Sequence, residues 1–337
     1  MRWMKSCKRP AKQASLLRFI LLIVFALSLR AAVAQETTLR SRSTLVLLPT
    51  LVKDSQGGIV YGLEAKDFVV EDNAVVQSVR LDEAPEGQPI SLVLVIQTGR
   101  RASYEFPRIE GLKTMLDPLF ALGASRLAVV EFDSHVQLIR NFSSDESLID
   151  RDLTSLQPGD NGAATLDAVN YSVGLLKSEP DERLRVLLLI SETRDHGSRT
   201  KIEDSISAIG QSDTLMYALS FSPGMSNILD TARGNNTNEM HEGVNFADLA
   251  YRTAQALRKN VPGSIAQMTG GEYETFTTGK KFDMRMSDFT NHLHSRYLLS
   301  FVPKDPQPGL HQLRVKLRDR KDATVLARAT YWAQASQ

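Results

Sequence analysis

The chain has 337 residues, 42% of them hydrophobic and 23% charged, a balance that supports a packed core and excludes a disordered or collagen-like polymer. Seven of its 40 basic residues and none of its 39 acidic ones fall within the first 34, so the formal charge of +1 becomes −6 once that segment is set aside. A chain that acidic lacks the basic surplus needed to track phosphates, and no nucleic-acid partner is expected.

Residues 1–34 have the grammar of a secretory signal peptide. Arg2, Lys5, Lys8, Arg9, Lys12 and Arg18 precede the apolar run FILLIVFALSL, and Ala32-Val33-Ala34 supplies small residues for cleavage before Gln35. The run is about half the roughly 20 residues a membrane span needs. Contact with a membrane is therefore expected only during export, with the product periplasmic or extracellular. The single cysteine, Cys7, lies inside this segment. The exported chain then has no disulfide, no thiolate metal ligand and no cysteine nucleophile.

From Ser43 to Ala84, short alternating runs broken by Gly57-Gly58 and Asp72-Asn73 predict half-buried strands joined by hairpins. Glu83 to Pro89 is a rigid polar linker. At Ile90 the pattern changes. Ile90–Ile96, Arg126–Phe132, Arg185–Ser191 and Thr214–Phe221 are apolar on both sides and too short for helices, as strands of a sheet covered on both faces should be. Between them, Ile109, Leu112, Leu116, Leu119 and Phe120 mark one helical stripe and Leu166, Val169, Val173 and Leu176 another, with Pro118 expected to kink or shorten the first. This alternation predicts a doubly wound, mostly parallel α/β sheet.

Ser222 to Asn245 reads as a long surface loop. A helix is expected over about Phe246–Lys259, then a short helix turning through Gly270-Gly271 into a strand. Phe282, Met286, Phe289 and Leu293 form the stripe of one more packed helix. The tail from Arg296 to Trp332 returns to β alternation.

Six segments in order, from LPTLVKDSQGGIVYGLEAKDFVVEDNAVVQSV through SLVLVIQTGR, RLAVVEFDSHV, RVLLLISETRDHGSRT and IAQMTGGEYE to SRYLLSFVPKDPQPGLHQLRVKL, resemble von Willebrand factor A-related proteins of the acidobacterial type. The resemblance covers about Ser43 to Trp332. It implies a von Willebrand A-like domain over 90–295; the flanks 43–84 and 296–332, each too small to fold alone, are expected to pair into one small β-sandwich in which that domain is inserted. It also implies an adhesion-type, protein-binding role, with no enzymatic activity.

The same resemblance implies a Mg²⁺-type site built from an Asp-x-Ser-x-Ser motif, a threonine and an aspartate at the carboxyl ends of the strands. Hard cations want oxygen ligands, and open α/β sheets bind ligands at that end. This chain departs at nearly every position. Gln97 stands at the aspartate, Gly99 and Arg101 at the two serines, Ala163 at the threonine with Thr165 displaced by two, and Glu192 replaces the last aspartate. No metal is expected there. Arg101 is instead expected to enter the vacated space and pair with Glu192, or else Arg100 and Arg101 are solvated loop residues. The candidate binding face is Arg100, Arg101, Thr165, Glu192, Asp195 and His196. It would serve an unidentified protein partner without a cofactor. The alternative is a metal-dependent module holding Mg²⁺ or Ca²⁺ through Glu192, Asp195 and Thr165.

Other residues carry less. His292 and His294 are expected on the surface of a helix, two positions apart and pointing different ways. Asp133, Ser134 and His135 share a tight turn, from which adjacent side chains are not expected to aim at one another as a hydrolytic triad would require. The acidic residues of GLEAKDF and VEDNAV read as turn and strand-edge chemistry. A glycine-rich phosphate cradle does not follow SLVLVI.

Overall fold

The computed structural model describes residues 45–82, 89–121, 125–180, 182–221, 246–304, 307–320 and 322–333. The expected signal peptide, the 83–89 linker except Pro89, and the 222–245 loop lie outside them.

The central sheet has six strands in the order β10-β9-β8-β5-β6-β7. They are β5 (Ile90–Gln97), β6 (Arg126–Phe132), β7 (Val136–Ser143), β8 (Leu184–Ser191), β9 (Leu215–Phe221) and β10 (Tyr273–Phe276). All neighbours are parallel except β6 and β7. Counted from β5, the order is 3-2-1-4-5-6, that of a doubly wound sheet. Its topological switch point lies between β5 and β8.

Strand chemistry explains the layering. Successive side chains alternate between faces, and both faces of β5 are apolar. Leu92, Leu94 and Ile96 pack into one core with helices α1 (Leu112–Ala121) and α7 (Gly279–His294). Val93 and Val95 pack into the other with α3 (Thr165–Lys177), α4 (Ile202–Gly210), α5 (Phe246–Lys259) and α6 (Val261–Thr269). The remaining helix, α2 (Glu146–Thr154), contributes Ile149 to the first core. Strands β5, β6, β8 and β9 fall within a residue of their expected bounds. So does the stripe on α7, where Phe282, Met286, Phe289 and Leu293 are all buried.

Three local outcomes differ from expectation. Pro118 sits inside α1, which is only ten residues long and preceded by a 3₁₀ stretch over Ala102–Arg108; the stripe beginning at Ile109 is split accordingly. Strand β7 and helix α2 were not anticipated; β7 mixes half-buried positions with the exposed Gln137 and Asn141 and shows no continuous apolar run. The turn expected at Asp72-Asn73 is centred one residue later, where Asn73 and Ala74 both adopt positive φ (45° and 68°), as a tight hairpin requires.

The outer strands form two four-stranded sheets, β13-β1-β11-β4 and β14-β12-β2-β3. Strands β1 (Val46–Lys53), β2 (Phe68–Asp72), β3 (Val75–Val76) and β4 (Val79–Asp82) come from the N-terminal side. Strands β11 (Tyr297–Phe301), β12 (Gly309–Leu317), β13 (Thr324–Leu326) and β14 (Thr330–Ala333) come from the C-terminal side. Every sheet mixes the two: β1 pairs with β11 and β13, β4 with β11, and β2 with β12. Leu48, Phe68, Val70, Leu299, Phe301 and Leu313 share one core.

A buried ionic cluster links these strands to the α/β sheet. Lys53 Nζ of β1 lies 2.5 Å from Glu272 Oε2, beside β10, and His292 Nδ1 of α7 lies 2.9 Å from Glu272 Oε1. Burial raises the Glu272 pKa, but the His292 hydrogen bond and the Lys53 charge outweigh it and hold the carboxyl down at about 2. His292 is therefore a part-buried partner of Glu272 and not a free surface residue of its helix. The expectation failed because the i,i+2 argument concerned whether two histidines converge, and a third chain segment supplies the partner.

Candidate functional site

At the carboxyl end of the central sheet three loops knit together over the switch point. Thr98 N–H and Gly99 N–H both donate to Phe132 O, Gly159 N–H donates to Thr98 O, Arg100 N–H donates to Asp160 O, and Ala164 N–H donates to Asp133 O. The loops approach so closely that glycine is required. A Cβ on Gly99 would lie 2.0 Å from Gly162 O, one on Gly162 would lie 2.5 Å from Ser134 Cβ, and one on Gly159 would lie 2.8 Å from Asp133 Oδ2.

Beneath the loops, Gln97 at the end of β5 is buried and faces Glu192 just beyond β8. The Gln97 amide oxygen accepts from Glu192 N–H at 2.9 Å, and its amide nitrogen donates to Gly99 O at 3.2 Å and to Glu192 Oε1 at 3.3 Å. Arg100 completes the group: its Nε lies 2.7 Å from Glu192 Oε1. Arg100 adopts φ +59°, rare for a side-chain-bearing residue. Such a conformation costs about 1–3 kcal/mol and persists where the surroundings over-determine it. Here the Asp160 carbonyl and the Glu192 carboxylate do so.

The expected Arg101–Glu192 pair is therefore corrected: the arginine is Arg100, and Arg101 is an exposed residue at the N-cap of the 3₁₀ stretch. The sequence offered two adjacent arginines; the left-handed turn at the first decides between them.

The other expected site residues have structural partners. Ala163 is buried and makes a two-bond bridge with His196, N–H to carbonyl at 2.8 Å and 2.7 Å. Thr165 is buried, and its hydroxyl lies 3.4 Å from Ala163 O. Asp195 Oδ1 accepts from Leu166 N–H at 3.1 Å and from the Ser198 hydroxyl at 2.5 Å, which caps the first turn of α3. His196 Nε2 stands 3.9 Å from Glu192 Oε1. Gln97, Arg100, Glu192 and His196 thus converge on one spot, while Thr165 and Asp195 serve the start of α3.

This donor set does not fit a hard divalent cation. The carboxylate at the switch point is held by a guanidinium, the neighbouring side chain is an amide, and Gly99 and Ala163 offer no side-chain oxygen. In the rearranged alternative, Glu192 Oε1, Asp195 Oδ1 and the Thr165 hydroxyl already have the partners described.

A second polar group sits beside these loops. Asp133, His135 and Asp160 have potential ligand atoms within 4.8 Å of one another. Their oxygens are spent locally: Asp133 accepts from His135 N–H and Asp160 N–H, and Asp160 from Ser134 N–H, Gly162 N–H and the Ser134 hydroxyl. Those contacts hold Asp160 below the usual carboxylate range, the Ser134 hydroxyl contributing most. Ser134 Oγ also lies 2.9 Å from His135 Nδ1, so adjacent side chains on this turn do reach each other, contrary to expectation. The order is nonetheless Asp–Ser–His, whereas serine activation needs the histidine between the other two.

Sequence reasoning missed one buried constellation altogether. His311 Nδ1 lies 2.8 Å from Asp72 Oδ1, the Tyr331 hydroxyl donates to Asp72 Oδ2 at 2.8 Å, and His311 Nε2 lies 2.6 Å from Gln307 O. Burial first, then the Asp72 carboxylate, push the Tyr331 hydroxyl pKa upward. Asp72 lies in VEDNAV, read only as turn chemistry. The three residues sit on β2, β12 and β14, and no local pattern joins them.

No family model matches this sequence, and no curated protein matches it. Among solved structures, the von Willebrand factor type A protein from Catenulispora acidiphila is similar at 10% identity, covering 88% of this chain and 75% of that one, with a TM-score of 0.44. The vWF domain of the type V pili tip protein Mfa5 from Porphyromonas gingivalis is similar at 17% identity over 32% of this chain and 38% of that one, with a TM-score of 0.28. BatB from Bacteroides thetaiotaomicron is similar at 12% identity over 60% of this chain and 99% of that one, with a TM-score of 0.37. This chain spans less than half the length of the Mfa5 domain.

Proposed function

We propose that this chain is an exported, non-enzymatic, von Willebrand A-like binding module of adhesion type, which recognises a protein partner without a metal ion. The observation that carries this reading is the Arg100–Glu192 pair at the switch point, with Gln97 beside it. A guanidinium there occupies the charge role that a divalent cation has in the domains the sequence resembles. It leaves a polar face of Arg100, Arg101 and His196 at the end of the sheet where such folds bind ligands. Support for the fold comes from the 3-2-1-4-5-6 strand order, together with the six ordered segments of the sequence.

In this reading residues 1–34 are a removed signal peptide and the product is periplasmic or extracellular. Residues 43–84 and 296–332 are two halves of one small β-sandwich, and 90–295 is the domain inserted between them. The pairing of β1, β2 and β4 with C-terminal strands supports that arrangement. Among the described residues no helix is long and apolar enough to cross a membrane.

The test is a crosslinked pull-down from the envelope fraction with the exported chain and its Arg100→Glu and His196→Ala variants. A partner captured by the unaltered chain and lost with Arg100→Glu is the expected result. A partner retained undiminished by both variants removes this face from consideration.

A further inference from the structure

A cavity of about 1600 Å³ opens between helices α5 and α6 on one side and strands β12 and β13 on the other. Its lining carries eight cationic side chains against three carboxylates, in a chain whose exported part is net acidic. Lys53, Lys316 and Arg328 are taken by Glu272, Glu71 and Asp213. Arg194, Lys259 and Arg320 are exposed and have no carboxylate partner among the described residues. Three cations converging on one concave surface create a field that attracts anionic ligands. Tyr251, 63% exposed on the α5 wall, adds an aromatic surface of the kind that anchors interfaces.

The floor of the cavity carries a second feature. Leu313 N–H donates to Ala329 O, on the β14 side, and Arg318 N–H donates to Asp67 O, on the β2 side. Backbone direction alternates along a strand, so Val315 and Leu317 turn their N–H and C=O groups away from β2. The partner strand agrees, since Val70, opposite Val315, turns its carbonyl outward to Gln77 N–H. Strand β14 covers only Gly309–Gln312 of β12. Among the described residues the outward backbone of Val315 and Leu317 therefore has no backbone partner. It is an open sheet edge inside a basic cleft.

We propose that this cleft binds an extended, acidic segment of a partner polypeptide, which adds as a strand to the open edge of β12. Main-chain bonds to Val315 and Leu317 supply register, as in other cases of strand addition. Arg194, Lys259 and Arg320 select carboxylates, and their attraction speeds encounter. The edge favours a polypeptide over other polyanions, because only a peptide backbone offers the alternating donors and acceptors that it lacks. Arg194 lies in the loop that also carries Glu192 and His196, so the cleft adjoins the Arg100 face, and the test therefore changes Lys259, Arg320 and Val315 instead.

The probe is a fluorescein-labelled peptide alternating glutamate and valine, about eight residues long to match a typical strand, titrated with the exported chain and followed by anisotropy. Saturable, salt-sensitive binding is expected. Lys259→Glu combined with Arg320→Glu should weaken it by about tenfold or more, the equivalent of about 1.4 kcal/mol. Val315→Pro, which removes an outward N–H and leaves the β2 bonds in place, should weaken it with little change in melting temperature. Two results overturn the proposal: a peptide that does not bind, or binding that the double charge reversal leaves intact. It is equally overturned if dextran sulfate binds as tightly as the peptide and Val315→Pro changes nothing, since the site is then a general polyanion surface. The residues changed here are not those of the Arg100 face, so failure of either reading leaves the other standing.

Discussion

Arg100 reaches across the switch point to Glu192, with Nε 2.7 Å from Oε1, while the adjacent Arg101 faces solvent. The pair is partly exposed, with a third of the arginine side chain open to water, so solvent screening limits its strength. A double-mutant cycle of Arg100→Ala and Glu192→Ala should give a coupling of about 1 kcal/mol, at the upper end for surface pairs. Arg101→Glu should shift stability by no more than about 0.5 kcal/mol, as other exposed substitutions do. Thermal denaturation of the four proteins of the cycle and of Arg101→Glu checks both, and a larger effect at Arg101 would reverse the assignment.

Gly99 stands where the resemblance places a serine, yet no side chain fits there. A Cβ would meet Gly162 O at 2.0 Å, and backbone is not free to yield as a side chain tip is. Gly99→Ser should therefore destabilise the protein by about 1–3 kcal/mol, the usual cost of overpacking. Combining Gln97→Asp, Gly99→Ser and Arg101→Ser should likewise fail to create a Mg²⁺ site, because the loops would have to separate first. Chemical denaturation and a Mg²⁺ titration of the triple variant measure the two effects.

Glu272 gives a pH dependence of known sign. Its folded carboxyl is held at about 2 against an ordinary value of 4.5, so the charged form stabilises the fold. That contribution is complete above about pH 4.5 and is lost as the pH falls through the folded pKa near 2. Glu272→Gln should lower stability at neutral pH by about 3 kcal/mol, since it leaves the Lys53 ammonium without its counter-charge. Melting temperatures of the two proteins should converge progressively as the pH falls from about 4.5 to about 2, and a gap that stays constant would contradict this origin.

Removing residues 296–337 takes away β11, β12, β13 and β14, and with them every strand that pairs β1 and β4 and the main partner of β2. Amides of β1 and β2 should then lose hydrogen-exchange protection, while those of β5 and β8 keep it. Retained protection in β1 would show that the N-terminal strands have another support.

The fold was legible where one element decides its own pattern. Strands β5, β8 and β9 are apolar on both faces, and the stripe of α7 repeats every three or four residues, so each announces itself. Strand β7 does not, because an edge strand exposed on one side mixes polar and apolar positions irregularly. The candidate site was legible in composition and not in geometry. Gln97 and Glu192 are named by their place at strand ends, but choosing between Arg100 and Arg101 depends on a left-handed residue stabilised by Asp160 O, sixty residues away. The Asp72–His311–Tyr331 and Glu272–His292–Lys53 clusters draw on three segments each, and no local signal anticipates them.

Arg100, with Nε 2.7 Å from Oε1, supplies a positive charge beside Glu192 at the end of the sheet, and the proposed function has no metal ion sharing that site. Isothermal titration calorimetry of residues 35–337 with Mg²⁺, Mn²⁺ and Ca²⁺ tests this most directly. No saturable heat is expected for any of the three ions. A saturable signal that disappears with Glu192→Gln would contradict it.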